Sequence, residues 1–370
     1  MQYIVIGGGI LGASAAYHLA KSGASVTIVD RQDKGQATEA AAGIICPWLS
    51  QRRNKKWYAL VKGGAKYYPQ LIQMLKEDGE TNTGYKKVGA LSLHTEEKKL
   101  DQMMKRAMKR REDAPEIGEI TKLSPAETKA LFPPLSEEYG AIHVSGGARV
   151  NGSALRQALL NAAQKNGALY INEHAEIVIE HNKAIGVRAG RQTIYAEHII
   201  DTAGAWSKQL LQPLGVDFAV TPQKAQIIHI DLPNVENKDW PVVIPPTNKY
   251  LLTFGGGKMV IGATHEDDKG FDERVTVEGV FDILDKVIAI APGLGDATYE
   301  TTKVGFRPYT PDFLPVFGFL PGYEGISLAN GLGASGLTSG PYLGAELAKF
   351  LRGEATELDP SLYNVSEAIK

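Results

Sequence analysis

Within the first thirty residues a short apolar run, 2–6 (QYIVI), leads directly into Gly7-Gly8-Gly9-Ile10-Leu11-Gly12. Helical spacing of Leu11, Ala15, Ala16 and Leu19 follows, with a stop at Gly23 and a second apolar run at 25–29 (SVTIV). Strand, turn, helix and strand in so short a span require a parallel sheet. The GxGxxG at the junction divides its duties. Gly7 permits the tight turn, Gly9 lets a pyrophosphate approach the backbone, and Gly12 lets the helix pack closely on the strand. The helix N–H groups and macrodipole then hold phosphate. Asp30 ends the second strand, where an acid bonds a ribose 2′-OH and repels the 2′-phosphate of NADP. A glycine turn without a ligand is the competing reading, and the two flanking strands and the acid disfavour it. The motif predicts a dinucleotide without separating FAD from NAD.

The chain is long enough for about two domains, since 370 residues at roughly 150 per domain leave room for no more than two or three. Forty Lys plus Arg balance 42 Asp plus Glu to a net charge of −2, so no global field favours a nucleic acid. With 43% apolar and 22% charged residues the chain can bury a large core. The lone cysteine, Cys46, excludes an intrachain disulfide and a CxxC pair, and it reads as a small apolar residue. No apolar run reaches the ~18 residues of a membrane span, and the N-terminus lacks the basic start of a signal peptide. A cytoplasmic protein is expected. Eight histidines show no HxxxH or HExxH spacing, so no metal site is expected.

Further along, helices are predicted over 57–78, 96–112, 151–166, 276–290 and 336–351, with a capping box at Ser124 and Glu127. Strand character recurs at 88–94 and 139–144, in three stretches through 169–201, and in short runs across 219–265 that suggest an antiparallel sheet. Strand-like runs also lie at 300–306, 313–319 and 326–329. A β-rich centre between α/β ends suggests one domain inserted into another.

Three later segments carry chemistry. In 37–44 (ATEAAAGI) small residues let backbone lie flat on a planar group, and Thr38 can donate to a phosphate; a tightly packed helix start is the plainer reading. In 305–312 (GFRPYTPD) Arg307 is suited to grip a carboxylate with two parallel hydrogen bonds, although an ion pair with Asp312 fits the spacing equally well. In 330–338 (NGLGASGLT) a second glycine turn feeds a helix N-terminus, which stabilises negative charge.

Taken together these segments resemble the FAD-dependent oxidoreductases of the D-amino acid oxidase family, most closely its glycine oxidase and sarcosine oxidase-like members. GGARVNGSALRQAL at 146–159, DTAGAWS at 201–207 and KYLLTFGGGKMVIGATHED at 249–267 extend the resemblance over nearly the whole chain. It implies a Rossmann-like FAD-binding domain (1–80, 146–215 and 300–370), α/β in class, interrupted by a substrate domain (81–145 and 216–299) with a mixed, largely antiparallel sheet. It implies that Gly7, Gly9, Ile10, Leu11, Gly12, Asp30, Arg31, Thr38, Ala42, Gly43, Ile44 and Gly204 hold FAD. Leu332, Gly333, Ala334, Ser335, Gly336, Leu337 and Thr338 would lie next to the isoalloxazine. Arg307, helped by Tyr250, would anchor a substrate carboxylate so that a hydride passes from Cα to flavin N5.

The implied reaction oxidises glycine, sarcosine or a D-amino acid to an imine that hydrolyses to an oxo acid and an amine. Oxygen is the expected acceptor; a dehydrogenase passing electrons to a quinone or protein is the alternative. Relatives often carry histidine at the position of Leu332, and glycine oxidase an arginine at that of Ala334. No cysteine stands in 305–315, so FAD is expected to be noncovalent. The oxygen-activating lysine of the sarcosine oxidases falls on Val260, with Lys258 two residues away. A homo-oligomer is compatible with the sequence. The basic stretch 98–111, seven cations and one acid over apolar residues at helical spacing, reads as a solvated helix on the substrate domain; a membrane surface or an electron-accepting partner is the sharper alternative.

Overall fold

A computed structural model describes all 370 residues. The strand Gln2–Ile6 (β1), the helix Ile10–Lys21 (α1) and the strand Ser25–Val29 (β2) form as the opening motif requires. β1 lies at the middle of a six-stranded sheet in the order 316–319, 326–330, 198–201, β1, β2, 169–171. All neighbours are parallel except the edge strand 316–319. Side chains alternate across a strand. Accordingly Tyr3 and Val5 enter one core with α1, while Ile4 and Ile6 enter a second with Ile199, Ile326 and Leu328. Both faces are covered, which is why β1 and β2 read as nearly continuous apolar runs.

α1 packs against the helices Gly152–Lys165 and Gly336–Leu351, and Ser14 Oγ donates to Pro341 O at 2.6 Å. On the opposite face an antiparallel three-stranded sheet of 175–180, 183–189 and 192–195 closes the second core. The stretch 169–201 thus holds five strands where periodicity predicted three. Its tight turns at His181–Asn182 and Gly190 split what looked like continuous β segments.

The second large sheet has eight strands in the order 298–309, 221–231, 258–262, 250–255, 242–244, 90–94, 140–144, 120–123. It is antiparallel except where 242–244 runs parallel to 90–94. The helix Val277–Ile290, capped by Thr276, covers one face through Ile283, Val287 and Ile290. Strand Thr298–Tyr309 pairs with 221–231 along its length, so the expected domain boundary at residue 300 cuts through a strand of this sheet.

Two further long helices are Lys55–Glu77 (α2), capped by the Asn54 side chain accepting from Trp57 N at 2.9 Å, and Glu97–Arg111 (α3). The Ser124–Glu127 capping box forms as predicted. No helix is long and apolar enough to cross a membrane.

Candidate active site

The two sheets meet over a cavity of about 710 Å³ that runs from the β1–α1 turn to strand 298–309. At one end, Gly7 takes φ +97° to turn the chain, and Thr202 Oγ1 donates to Ile6 O and Gly7 O, both at 2.9 Å. The N-cap of α1 is Gly9, whose lack of a side chain leaves the first turn without a side-chain cap. A Cβ on Gly9 would meet only Thr38 Oγ1, at 3.5 Å, and would otherwise project into open space. Thr38 Oγ1 accepts from Ile10 N at 3.0 Å, leaving its own hydroxyl hydrogen free to donate. The helix 336–351, at the other side of the cavity, also begins without a side-chain cap. Two such helix N-termini around a roomy cleft fit a dinucleotide with its phosphates at one end and a ring able to carry negative charge at the other.

Of the expected cofactor positions, Gly7, Gly9, Ile10, Leu11, Asp30, Arg31, Thr38, Ala42, Gly43, Ile44 and Gly204 line this cavity. Leu332, Gly333, Ala334, Gly336, Leu337 and Thr338 line its far wall. Two of the expected positions stand behind the wall instead. A Cβ on Gly12 would lie 1.9 Å from Gly7 O, so this glycine serves close packing of helix on turn and touches nothing in the cavity. Ser335 Oγ accepts from Trp57 Nε1 at 2.9 Å, tying the second glycine turn to α2.

Asp30 is more heavily engaged than the fingerprint suggests. Its carboxylate accepts from Gly8 N (3.0 Å), Gln32 N (2.9 Å) and Gln36 Nε2 (3.2 Å), and it pairs with Arg156 Nη2 at 3.1 Å. Arg156 also donates from Nε to Gly8 O at 2.5 Å. Both side chains are nearly excluded from water, 10% and 6% exposed. Buried, paired and hydrogen-bonded, they hold the glycine turn in shape. Arg156 lies in the ALRQAL segment, where helical periodicity places it among apolar neighbours; that setting was the one available signal of an interior role. Arg31 sits at the rim beside Asp33.

At the other end, Arg307 and Tyr250 come together in the cavity wall. Arg307 makes no ion pair. Its hydrogen bond goes to a neutral group, Gln223 Oε1 at 3.2 Å, and the Tyr250 side chain lies beside it in the same wall. Gln223, directly across the strand pair, is itself held by donating to Asp267 Oδ1 at 2.8 Å. The ion pair with Asp312 is not formed. Burial pushes the Tyr250 hydroxyl pKa up while Arg307 pulls it back, so the phenol stays protonated. Two further residues share this wall and were missed by the motif reading. Lys249 is buried and donates to Ala263 O (2.9 Å) and Asp282 (2.5 Å); burial lowers its pKa against the pull of Asp282. His265 is accessible from the cavity, and partial desolvation in its wall together with the charges of Arg307 and Lys249 lowers its pKa, so its ring is neutral near pH 7. Lys249 adjoins Tyr250 in sequence, which was its only signal.

Of the two positions matched to the oxygen-activating lysine, Val260 is buried in the core, while Lys258 is exposed and paired with Asp231 and Glu300. Neither reaches the cavity, and the lysine that does is Lys249. Cys46 is buried outside the cavity, with burial raising its thiol to about 12.

The model of the family described as FAD dependent oxidoreductase (DAO) matches residues 2–350. The uncharacterized oxidoreductase YurR of Bacillus subtilis strain 168 is 56% identical, covering 100% of this chain and 99% of its own. The glycine oxidase of Pseudomonas aeruginosa is 28% identical over 98% of each chain. Among solved structures, iminodiacetate oxidase from Chelativorans sp. BNC1 superposes with a TM-score of 0.95 at 45% identity, covering 98% of both chains.

Proposed function

The chain belongs to the family of FAD dependent oxidoreductases, and from that membership we propose that it oxidises a small amino acid or N-alkyl amino acid at the bond between Cα and nitrogen. Glycine, sarcosine and D-amino acids fall in this class, as do N-carboxymethyl amines of the kind the iminodiacetate oxidase is named for. FAD, when bound, supplies the two-electron acceptor for the C–H bond beside the nitrogen. It is held without a cysteinyl bond, since the one cysteine lies outside the cavity.

The observation that carries this reading is a guanidinium in the cavity wall with neutral partners only. Half-buried in the cavity wall and lacking a carboxylate of its own, Arg307 is matched to one brought by a ligand. Gln223 fixes its plane and Tyr250 adds a neutral donor beside it. Lys249, paired with Asp282, adds a second cation to this end, while His265 is neutral and places no further full charge beside Arg307. Anchoring the carboxylate orients the Cα–H toward the cofactor end, and orientation of this kind supplies most of what the protein must add. The imine released is hydrolysed by water to an oxo acid and ammonia or an alkylamine, with oxygen as the electron acceptor and peroxide as its product.

Arg307→Leu tests the anchor. Truncating one partner of a charge pair of this kind costs roughly 2–5 kcal/mol, or about 30-fold or more in kcat/KM. The variant is expected to purify with its FAD complement intact and to lose turnover by that margin. Unchanged kcat/KM for the best amine carboxylate would remove Arg307 from the site.

A further inference from the structure

The basic helix α3 does not simply face solvent. Its apolar side is buried through Leu100, Met103 and Ala107, and this turns Arg106 and Arg110 toward the start of α2. A second cavity, about 590 Å³, lies between the two helices. Six cations line it, Arg52, Arg53, Lys55, Lys62, Arg106 and Arg110, against the single acid Asp113.

Their partners sort them into two groups. Arg52, Arg110 and Lys62 are employed by the fold. Arg52 donates to Phe313 O at 2.6 Å, Arg110 donates to Trp48 O and Ser50 O at 2.5 and 2.6 Å, and Lys62 takes up Asp113 at 2.8 Å. Arg53, Lys55 and Arg106 have no partner anywhere in the protein, and Arg106 is partly buried with its Nε cut off from water. The Tyr58 hydroxyl in the same wall also lacks a partner, while the guanidinium of Arg110 lies 4.6 Å from the centre of its ring. Burial, and after it the charge of Arg110, lower the Arg106 pKa, as expected of a partly desolvated cation beside a like charge.

Two separate elements therefore bring unpaired cations to one concavity, although the chain as a whole is near neutral. We infer that this cleft is a binding site for a compact polyanion, a phosphate or a polycarboxylate, seated by Arg53, Lys55 and Arg106 with the outer face of Arg110. Its size suits a small molecule, and its walls offer planar guanidinium forks that match phosphate and carboxylate oxygens. The site is distinct from the FAD cavity yet shares a wall with it. Arg110 holds the carbonyl of Ser50, and Ser50 lines the larger cavity. The inference does not depend on which amine the enzyme oxidises.

Calorimetric titration of the FAD-loaded protein with inorganic phosphate and with citrate tests it. Saturable binding of one or both is expected, and the better ligand distinguishes a phosphate from a polycarboxylate source. Arg53→Gln, an exposed position free of structural bonds, and Arg106→Gln should each weaken that binding about tenfold or more. Arg307→Leu should leave it unchanged, which separates this cleft from the substrate anchor. The inference is overturned if neither anion saturates the protein, if the Arg53→Gln and Arg106→Gln variants bind as tightly as the parent, or if Arg307→Leu abolishes the binding.

Discussion

Arg156 and Asp30 form a buried ion pair that braces the glycine turn from both sides, through Gly8 N and Gly8 O. The fingerprint assigns Asp30 to a ribose, yet in the fold its carboxylate is also the hub that joins the glycine turn, residues 32–36 and the helix carrying Arg156. Removing one partner of a buried, hydrogen-bonded ion pair costs about 3–5 kcal/mol. Arg156→Met should lower the unfolding free energy by roughly that amount and release FAD on dilution, as read from denaturant titration and flavin fluorescence. Asp201, at the end of strand 198–201, poses the opposite case. It is wholly buried, accepts from Ala203 N and Ser207 Oγ at 2.8 Å, and leaves Oδ2 without a partner; burial raises its pKa to about 6. The folded state thus binds a proton that the unfolded chain has lost. This group's contribution is full below the unfolded value of 3.8 and is lost as pH rises through 6. Asp201→Asn keeps the accepting oxygen and removes the desolvated charge. Its melting temperature is expected to exceed that of the parent at pH 8, by an amount worth at most about 3 kcal/mol, and to approach it near pH 4. An equal difference at both pH values would contradict the assignment.

At the scale of elements, the opening β1–α1–β2 unit places everything else, and its tightest point is Gly12. A Cβ there would lie 2.4 Å from Thr202 Oγ1 and 1.9 Å from Gly7 O, a backbone atom that no rotamer change can move away. Gly12→Ala should push α1 off the turn, destabilise the fold by about 1–3 kcal/mol or more and weaken FAD binding, as seen in a lower melting temperature and a lower flavin content. This unit was legible because glycines, apolar runs and a helix stop are local signals. The same holds for the Ser124–Glu127 capping box and for α2 and the helix 336–351, whose periodicity is written within each segment. What was not legible depends on partners far away in the chain. The parallel pairing of 242–244 with 90–94 and the split of 169–201 into five strands follow from which apolar face finds which core. The partner of Arg307 was undecidable from spacing, since Gln223 and Tyr250 reach it across the sheet and Asp312 does not. Arg106 and Arg53 likewise meet only because α3 buries its other side.

At the scale of the molecule, a parallel sheet and a larger, mostly antiparallel one meet along one cavity, and the chain crosses between them several times. The first sheet contributes the β1–α1 turn, Asp30 and residues 202–204, together with the turn leading into helix 336–351; the second contributes Tyr250 and Arg307. In the proposed reaction a substrate anchored on the second sheet would be presented to a cofactor seated on the first. In that proposed reaction an amine bearing a carboxylate, gripped by Arg307, passes two electrons to FAD in this cavity. Anaerobic mixing of the yellow protein with glycine, sarcosine, iminodiacetate, D-alanine and proline, followed by absorbance at the flavin band and then by air, tests it directly. Bleaching by at least one of these amines is predicted, with recolouring and peroxide on admission of air. A protein that is yellow and stays yellow with every one of them would contradict the claim.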